Sequence, residues 1–191
     1  VLVVDDDPGV LSLLSRLLRV TGYTVDESAS AEDASQKIVS NAPDLILLDM
    51  QLPGKSGQEL LVEIRSDPSL RLIPVVMLTG AGTPARKLRA IEAGATDFLA
   101  KPFSQVELTA RVRSLLQLKL LTDALEDAES MVVALAESID ARDTYTYGHS
   151  ARVSLYAGLL GERLGLEGPS LAVLKSGGLF HDIGKIAVPD R

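Results

Sequence analysis

Short, wholly apolar runs alternate with helix-period segments over the first hundred residues. Val1–Val4 is a continuous β-branched and leucine run, stopped by three aspartates and Pro8. Val10–Val20 places apolar residues at 10, 11, 13, 14, 17 and 18, the period of a helix with one buried face, and Gly22 ends it. Tyr23–Val25 is a short strand expectation. Ala31–Ser40 predicts a second helix, Leu45–Leu48 a third strand, and Gly57–Arg65 a third helix. Ile73–Leu78 then reads as a strand, Pro84–Ala93 as a fourth helix closed by Gly94, and Thr96–Ala100 as a fifth strand. Continuous apolar strands that alternate with helices imply a parallel sheet covered on both faces. The expectation is an α/β, doubly wound (βα)5 domain complete by about residue 118.

The pattern changes at Ser104. No Pro or Gly occurs between Ser104 and Arg142, a run too long for one ordinary globular helix. Leu118, Leu121, Leu125, Ala128, Val132, Leu135 and Ile139 step alternately by three and four, which is a coiled-coil seam. Upstream, Leu108, Val112 and Leu115 step by four and three, but Leu115 to Leu118 is three where four was due. Such a stammer overwinds the coil locally, and it marks the domain junction. The bland alternative is one amphipathic helix packed on its own chain. Residues 142–191 read as further helices punctuated by glycine. The organisation is therefore a domain over 1–118, a helical linker over 119–141 and an all-α segment over 142–191.

Composition narrows the function classes. A chain of 191 residues holds one large domain, or one ordinary domain and part of another. It has no cysteine, which excludes disulfides and thiolate metal sites. No stretch approaches the ~18 uncharged apolar residues of a membrane span. The net charge is −7, from 19 basic and 26 acidic side chains. Residues 119–191 carry 7 basic against 11 acidic side chains. Neither balance suits DNA, whose phosphates must be neutralised by Lys and Arg. The chain opens on Val1, already in a strand, so it is expected to lack its natural start, and a cytoplasmic setting is expected.

The chemistry gathers at strand ends. Asp5 and Asp6 follow the first strand, Asp49 the third, Thr79 the fourth and Lys101 the fifth. In an open parallel sheet, ligands bind outside the carboxyl ends of the strands, so these residues converge on one site. Three carboxylates in one pocket repel each other unless a cation sits among them. All-oxygen ligation favours a hard ion, with Mg²⁺ the expected one. Lys101 adds positive charge and Thr79 a hydroxyl donor. Together they equip the site to accept a phosphoryl group on a carboxylate. Asp7, ahead of Pro8, reads only as a helix cap.

VLVVDDDP, LILLDMQLPGKSG, VVMLTG and AGATDFLAKPF resemble the motifs of the receiver domain of two-component response regulators, over roughly residues 1–118. The resemblance implies a flavodoxin-like fold and a sensor histidine kinase as partner. It makes Asp49 the phospho-acceptor. Asp6, Asp49 and the backbone carbonyl of Gln51 would bind Mg²⁺ directly, and Asp5 mostly through water. Thr79 and Lys101 would hold phosphoryl oxygens, and Phe98 would be the switch aromatic, without the hydroxyl of the tyrosine many receivers carry. The Lys101–Pro102 bond is expected to be cis.

Only two histidines occur, His149 and His181, and Asp182 adjoins the second. Adjacent His and Asp on a helix rich in Leu, Gly and Phe would face a mostly apolar interior unless a metal claims them. Imidazole and carboxylate suit Fe, Mn, Zn or Ni, and two-metal sites cleave phosphodiesters. ESIDARDTYTYGHSARV and GLFHDIGKIAVPD resemble the opening part of the HD-GYP domain, whose members hydrolyse cyclic di-GMP. The resemblance makes His149, His181 and Asp182 metal ligands, with Asp182 bridging, and turns Lys185 toward substrate phosphate. Three-metal members carry a glutamate four residues before the first ligand histidine. Tyr145 stands there, so two metals, Fe or Mn, are expected.

The remaining ligands and the Gly-Tyr-Pro loop of that family would follow Arg191. The 191 residues alone are therefore expected to be inactive as a phosphodiesterase, and the parent protein active. The function these readings imply is phosphorylation at Asp49 controlling cyclic di-GMP hydrolysis, in a homodimer paired through the linker helix. The competing reading is a phosphorylation-dependent dimerisation and partner-binding switch whose HD segment does not turn over.

Overall fold

The structure is a computed structural model that describes residues 1–80, 91, 93–140 and 148–184, without the side chains of residues 137, 139 and 140. Five strands form one all-parallel sheet in the order β2-β1-β3-β4-β5. They are β1 Leu2–Val4, β2 Asp26–Ser28, β3 Ile46–Asp49, β4 Val75–Thr79 and β5 Asp97–Ala100. Alternate residues of each strand face opposite sides, so the sheet needs two core layers. Leu2, Val4, Ile46, Leu48, Val75 and Met77 meet Ala34 and Ile38 of α2 (Ala31–Ser40) and Leu60, Leu61 and Ile64 of α3 (Gly57–Ser66). Val3, Leu47, Val76, Leu78 and Leu99 meet Leu14 and Leu18 of α1 (Pro8–Val20) and Leu108 and Val112 of α4 (Gln105–Asp140). Apolar burial on both faces is why these strands carry unbroken apolar runs.

The sequence places one strand wrongly. Tyr23–Val25 lies outside the sheet, and the strand is the polar Asp26–Glu27–Ser28, in register with Leu2–Val4. It is an edge strand, so its outer side need not be apolar. Val25 is buried and Tyr23 packs against the α1 layer. Apolarity there marks packing, not membership of the ladder. The helix expected over Pro84–Ala93 lies almost entirely outside the described residues.

Helix starts follow local chemistry. Asp7 accepts hydrogen bonds from Gly9 N and Val10 N, with Pro8 in the first turn. Ser56 and Glu59 form a reciprocal capping box at α3. Gly57 has a positional reason: a Cβ there would lie 1.9 Å from the backbone oxygen of Asp49. Only glycine lets α3 start this close to the end of β3.

The chain divides into two compact units, Val1–Thr122 and Asp123–Arg191. α4 is a single helix of 36 residues. The Pro- and Gly-free run from Ser104 thus folds without a break through the stammer. Within the second unit, α5 (His149–Arg163) and α6 (Gly168–Phe180) pack closely and run in opposite directions. Gly158 lies against Lys175, Gly161 against Leu174, and Gly178 against the backbone of Ser154. Among the described residues no helix is long and apolar enough to cross a membrane.

Candidate functional site

The strand ends bring the expected side chains together. Asp5 and Asp6 leave β1, Asp49 ends β3, Thr79 ends β4, and Lys101 follows β5. Asp5 is fully buried, Asp49 and Thr79 nearly so, and Asp6 is exposed. One carboxylate oxygen from each of Asp5, Asp6 and Asp49 lies within 4.8 Å of the others. Lys101 Nζ donates to Asp5 Oδ2 at 2.5 Å and stands 3.3 Å from Asp49 Oδ2. The second oxygen of Asp5 accepts from Asp7 N at 3.0 Å, which fixes its plane. The Lys101–Pro102 bond is cis. Gln51 is exposed, two residues beyond Asp49. Phe98 is half-buried on β5, opposite Met77 of β4, and packs on the α2–α3 layer.

Burial raises the Asp49 carboxyl above the ordinary aspartate value; Asp5's charge adds to this and Lys101 opposes it. Burial works to lower the Lys101 ammonium, yet its bond to Asp5 and the charges of Asp49 and Asp5 outweigh that and raise it. The one ammonium is thus shared between two carboxylates, and the site has room electrostatically for more positive charge. Thr79 Oγ1 is buried without a hydrogen-bond partner among the described residues. An unsatisfied buried hydroxyl is costly unless a ligand completes it. An all-oxygen carboxylate set fits a hard divalent cation. The waiting hydroxyl and ammonium fit the oxygens of an anion on Asp49.

In the second unit, His149 opens α5, while His181 caps α6 and Asp182 follows it. Ligand atoms of these three lie within 4.8 Å of one another. The imidazole centroids are 5.1 Å apart, with the rings inclined by 59°. The sequence expectation of His and Asp on a helix, facing an apolar interior, is corrected. Both lie just past the end of α6, and His181 is exposed. The Gly178 carbonyl, which can only accept, lies 2.8 Å from His181 Nδ1, so Nδ1 carries the proton. His181 Nε2 lies 3.3 Å from Asp182 Oδ2, close enough for the two atoms to share one cation. A backbone carbonyl on one ring nitrogen is also how the tautomer of a metal-ligating histidine is commonly set, leaving the other nitrogen to bind. Lys185 and Tyr145 lie outside the described residues.

Two determinants escaped the sequence reading. Gly57 and Gly178 both permit backbone approaches that set the two clusters, and Gly178 read only as punctuation. The small residues Ser150, Ser154, Gly158 and Gly161, spaced by four, four and three, are the signal that α5 has a face for close packing.

The chain matches the response regulator receiver domain over residues 1–113 and the HD domain over residues 146–191. It is 31% identical over 211 residues to the cyclic di-GMP phosphodiesterase response regulator RpfG of Xanthomonas campestris pv. campestris, covering 100% of this chain and 56% of that protein. It is 39% identical over 117 residues to the phosphate regulon transcriptional regulatory protein PhoB of Pseudomonas aeruginosa, covering 61% of this chain and 51% of that protein. The solved receiver domain of NtrX from Brucella abortus is similar with a TM-score of 0.58 at 34% identity, covering 61% of this chain and 97% of that chain. The chain spans about half the length of the curated relatives it matches.

Proposed function

Because the chain belongs to the response regulator receiver family and its second unit matches the HD domain, we propose that it is a phosphorelay response regulator, phosphorylated on Asp49, whose output is metal-dependent hydrolysis of cyclic di-GMP. One observation carries this reading. Among the described residues, the two groups able to hold a metal ion are Asp5, Asp6 and Asp49, and His149, His181 and Asp182. They are the two centres that such a protein needs, one in each unit.

In the receiver unit, a carboxylate oxygen of Asp49 attacks the phosphorus of a phosphohistidine on a sensor histidine kinase. The P–N bond breaks, the imidazole leaves with its electron pair and takes up a proton, and an acyl phosphate remains on Asp49. Asp6, Asp49 and the Gln51 carbonyl would hold Mg²⁺ directly, and Asp5 mostly through water; when bound, the ion would supply charge neutralisation for the phosphoryl group. Lys101 pairs with one phosphoryl oxygen. Thr79 turns its hydroxyl to another, and Phe98 repacks as the threonine moves. In the second unit, His149, His181 and Asp182 would hold two Fe or Mn ions, which would supply Lewis acidity toward a phosphodiester. Lys185, which lies outside the described residues, would pair with the substrate phosphate. We assign the receiver to residues 1–118, the linker to 119–141 and the HD-type segment to 142–191. The linker seam pairs two chains in parallel, in the cytoplasm and without DNA as a partner.

Intact-mass analysis after treatment with acetyl phosphate and Mg²⁺ tests the first half. The wild-type chain gains one phosphoryl group and Asp49→Asn gains none. An unmodified wild type, or equal labelling of the variant, overturns the assignment. The second half is tested on the full-length natural protein, by following cyclic di-GMP loss in Mn²⁺ or Fe²⁺. Turnover that survives His181→Ala with Asp182→Ala removes the cluster from the chemistry.

A further inference from the structure

The second unit contains an apolar groove of about 630 Å³ beside the linker seam. One wall is Leu125, Ala128 and Val132 of α4, and the other is Ser176, Leu179 and Phe180 of α6. The α4 wall contains three successive seam positions, with Glu129 and Val133 beside them. In the heptad that starts at Leu118, Leu125 and Val132 are at position a and Ala128 is at d. Glu129 and Ala136 fall at e, the flank adjoining a. Glu129 lines the groove and Ala136 is buried. α6 therefore lies on the e side of the seam.

The heptad identifies the occupant. A seam with a seven-residue repeat is matched by a helix with the same repeat, and this chain carries one. In a parallel two-stranded coil, the g positions of one helix lie against the e positions of the other. The g positions here include Ala124 and Met131, both uncharged. Lys119, Asp123, Glu126 and Asp127 fall at b, f, b and c, on the far side, so nothing on the g flank opposes the approach. Met131 is 69% exposed on its own chain. Its long, flexible thioether suits an irregular apolar gap. In the groove itself, Glu129 and Lys175 supply one charge of each sign, so it attracts no charged ligand.

We propose that the groove between α4 and α6 is filled by Met131 of a second copy of this chain, so that the end of α6 is part of the dimer interface. The inference rests on the reading of residues 118–139 as a parallel coil. It adds a regulatory route to the metal cluster. Phe180, which lines the groove, directly precedes His181 and Asp182, so pairing of the coil holds the segment that carries two of the three ligands.

These 191 residues contain no cysteine, so introduced thiols are the only ones and allow a clean test. Ala128→Cys, at a d position, tests the coil by itself through a symmetric disulfide. Met131→Cys in one chain and Leu179→Cys in another, tagged to different masses, test the groove when mixed in a glutathione redox buffer. Met131→Cys mixed with Leu164→Cys, an exposed position that does not line the groove, gives the background. The expected result is an Ala128 dimer, together with a 131–179 mixed disulfide at least about tenfold above background, because interface cysteines meet at far higher effective concentration than free chains do. An Ala128 dimer with 131–179 yield at background overturns the groove assignment and leaves the coil standing. Failure of both overturns the coil and the groove together.

Discussion

Asp49 is held in a state that costs the fold. Its carboxyl sits above its ordinary value because burial disfavours the anion, with Asp5 adding to the effect and Lys101 opposing it. A group whose folded-state value is raised binds protons more tightly when folded. Ionising it therefore weakens the fold as pH rises from the ordinary carboxylate range through the raised value. Asp49→Asn removes that loss. It is expected to stabilise the receiver by on the order of 1 kcal/mol at pH 7, with the gain shrinking as the pH falls toward the ordinary aspartate range. Urea unfolding at several pH values measures this, and a variant no more stable than wild type at pH 7 refutes it. Lys101 works in the other sense: its stabilising contribution is present through neutral pH and is lost only as pH climbs through its raised value. Thr79 has a cost of its own, a buried hydroxyl without a partner among the described residues. Thr79→Val keeps the shape and deletes the unsatisfied group, so it should raise stability by up to about 1 kcal/mol. The same variant should still accept phosphate on Asp49 yet lose the stabilisation that phosphorylation brings, which thermal melts with and without acetyl phosphate would separate. That these side chains converge was legible in sequence because strand ends of a parallel sheet are the place where side chains so distant along the chain meet. The tautomer of His181 was not legible, because it depends on a backbone carbonyl, which every residue has.

Helices set the second cluster through close contact between backbones. A Cβ on Gly178 would lie 2.8 Å from Ser154 Cα and 3.0 Å from Ser154 N, and neither atom belongs to a flexible side chain. Gly178→Ala must therefore push α5 and α6 apart, an overpacking cost of about 1–3 kcal/mol. Because His149 opens α5 and His181 caps α6, the same displacement separates the two imidazoles. Gly177 is the internal control. A Cβ there meets nothing within 4 Å, so Gly177→Ala should stabilise by up to about 1 kcal/mol through helix propensity. Denaturant unfolding of the two variants should move in opposite directions, and Mn²⁺ titration should show weakened binding at the histidine cluster for Gly178→Ala alone. Equal stabilisation by both would mean that the helices are not held at this crossing. At this scale the hydrophobic pattern found every described receiver strand except β2, whose apolar neighbours Tyr23 and Val25 belong to the packing layer. It could not find the helix crossing, because glycine carries no side chain whose period can be read. A run of small residues becomes informative only once the partner helix is known.

For the molecule as a whole, the issue is what covers the linker. Leu118, Leu121, Leu125 and Leu135 are each more than half exposed on α4. By contrast Leu108 and Val112, one and two turns into the same helix, are fully buried in the receiver core. The helix therefore changes role along its length, from core element to an apolar stripe that is largely exposed among the described residues, near where the seven-residue phase begins. An isolated helix gains too little from its own hydrogen bonds to offset a leucine stripe in water, and burial of each leucine against a partner is worth about 1.5–3 kcal/mol. Two-fold pairing closes such a stripe on itself with no new surface left over. Leu121→Lys with Leu125→Glu removes two adjacent seam positions and sets charges into the core of the pair. Light scattering should then show monomers at micromolar concentration where the wild type shows dimers. Acetyl phosphate labelling of Asp49 should be unchanged in the same variant, because neither leucine belongs to the receiver core or to the phosphorylation site. A wild type that is already monomeric at micromolar concentration would show that the stripe is covered by something other than a second copy. A variant that loses both pairing and phosphorylation would show that the substitutions reach the receiver fold itself. Dimers with phosphorylation intact in the wild type, and monomers with phosphorylation intact in the variant, would separate the input chemistry from the assembly through which we propose it reaches the HD segment.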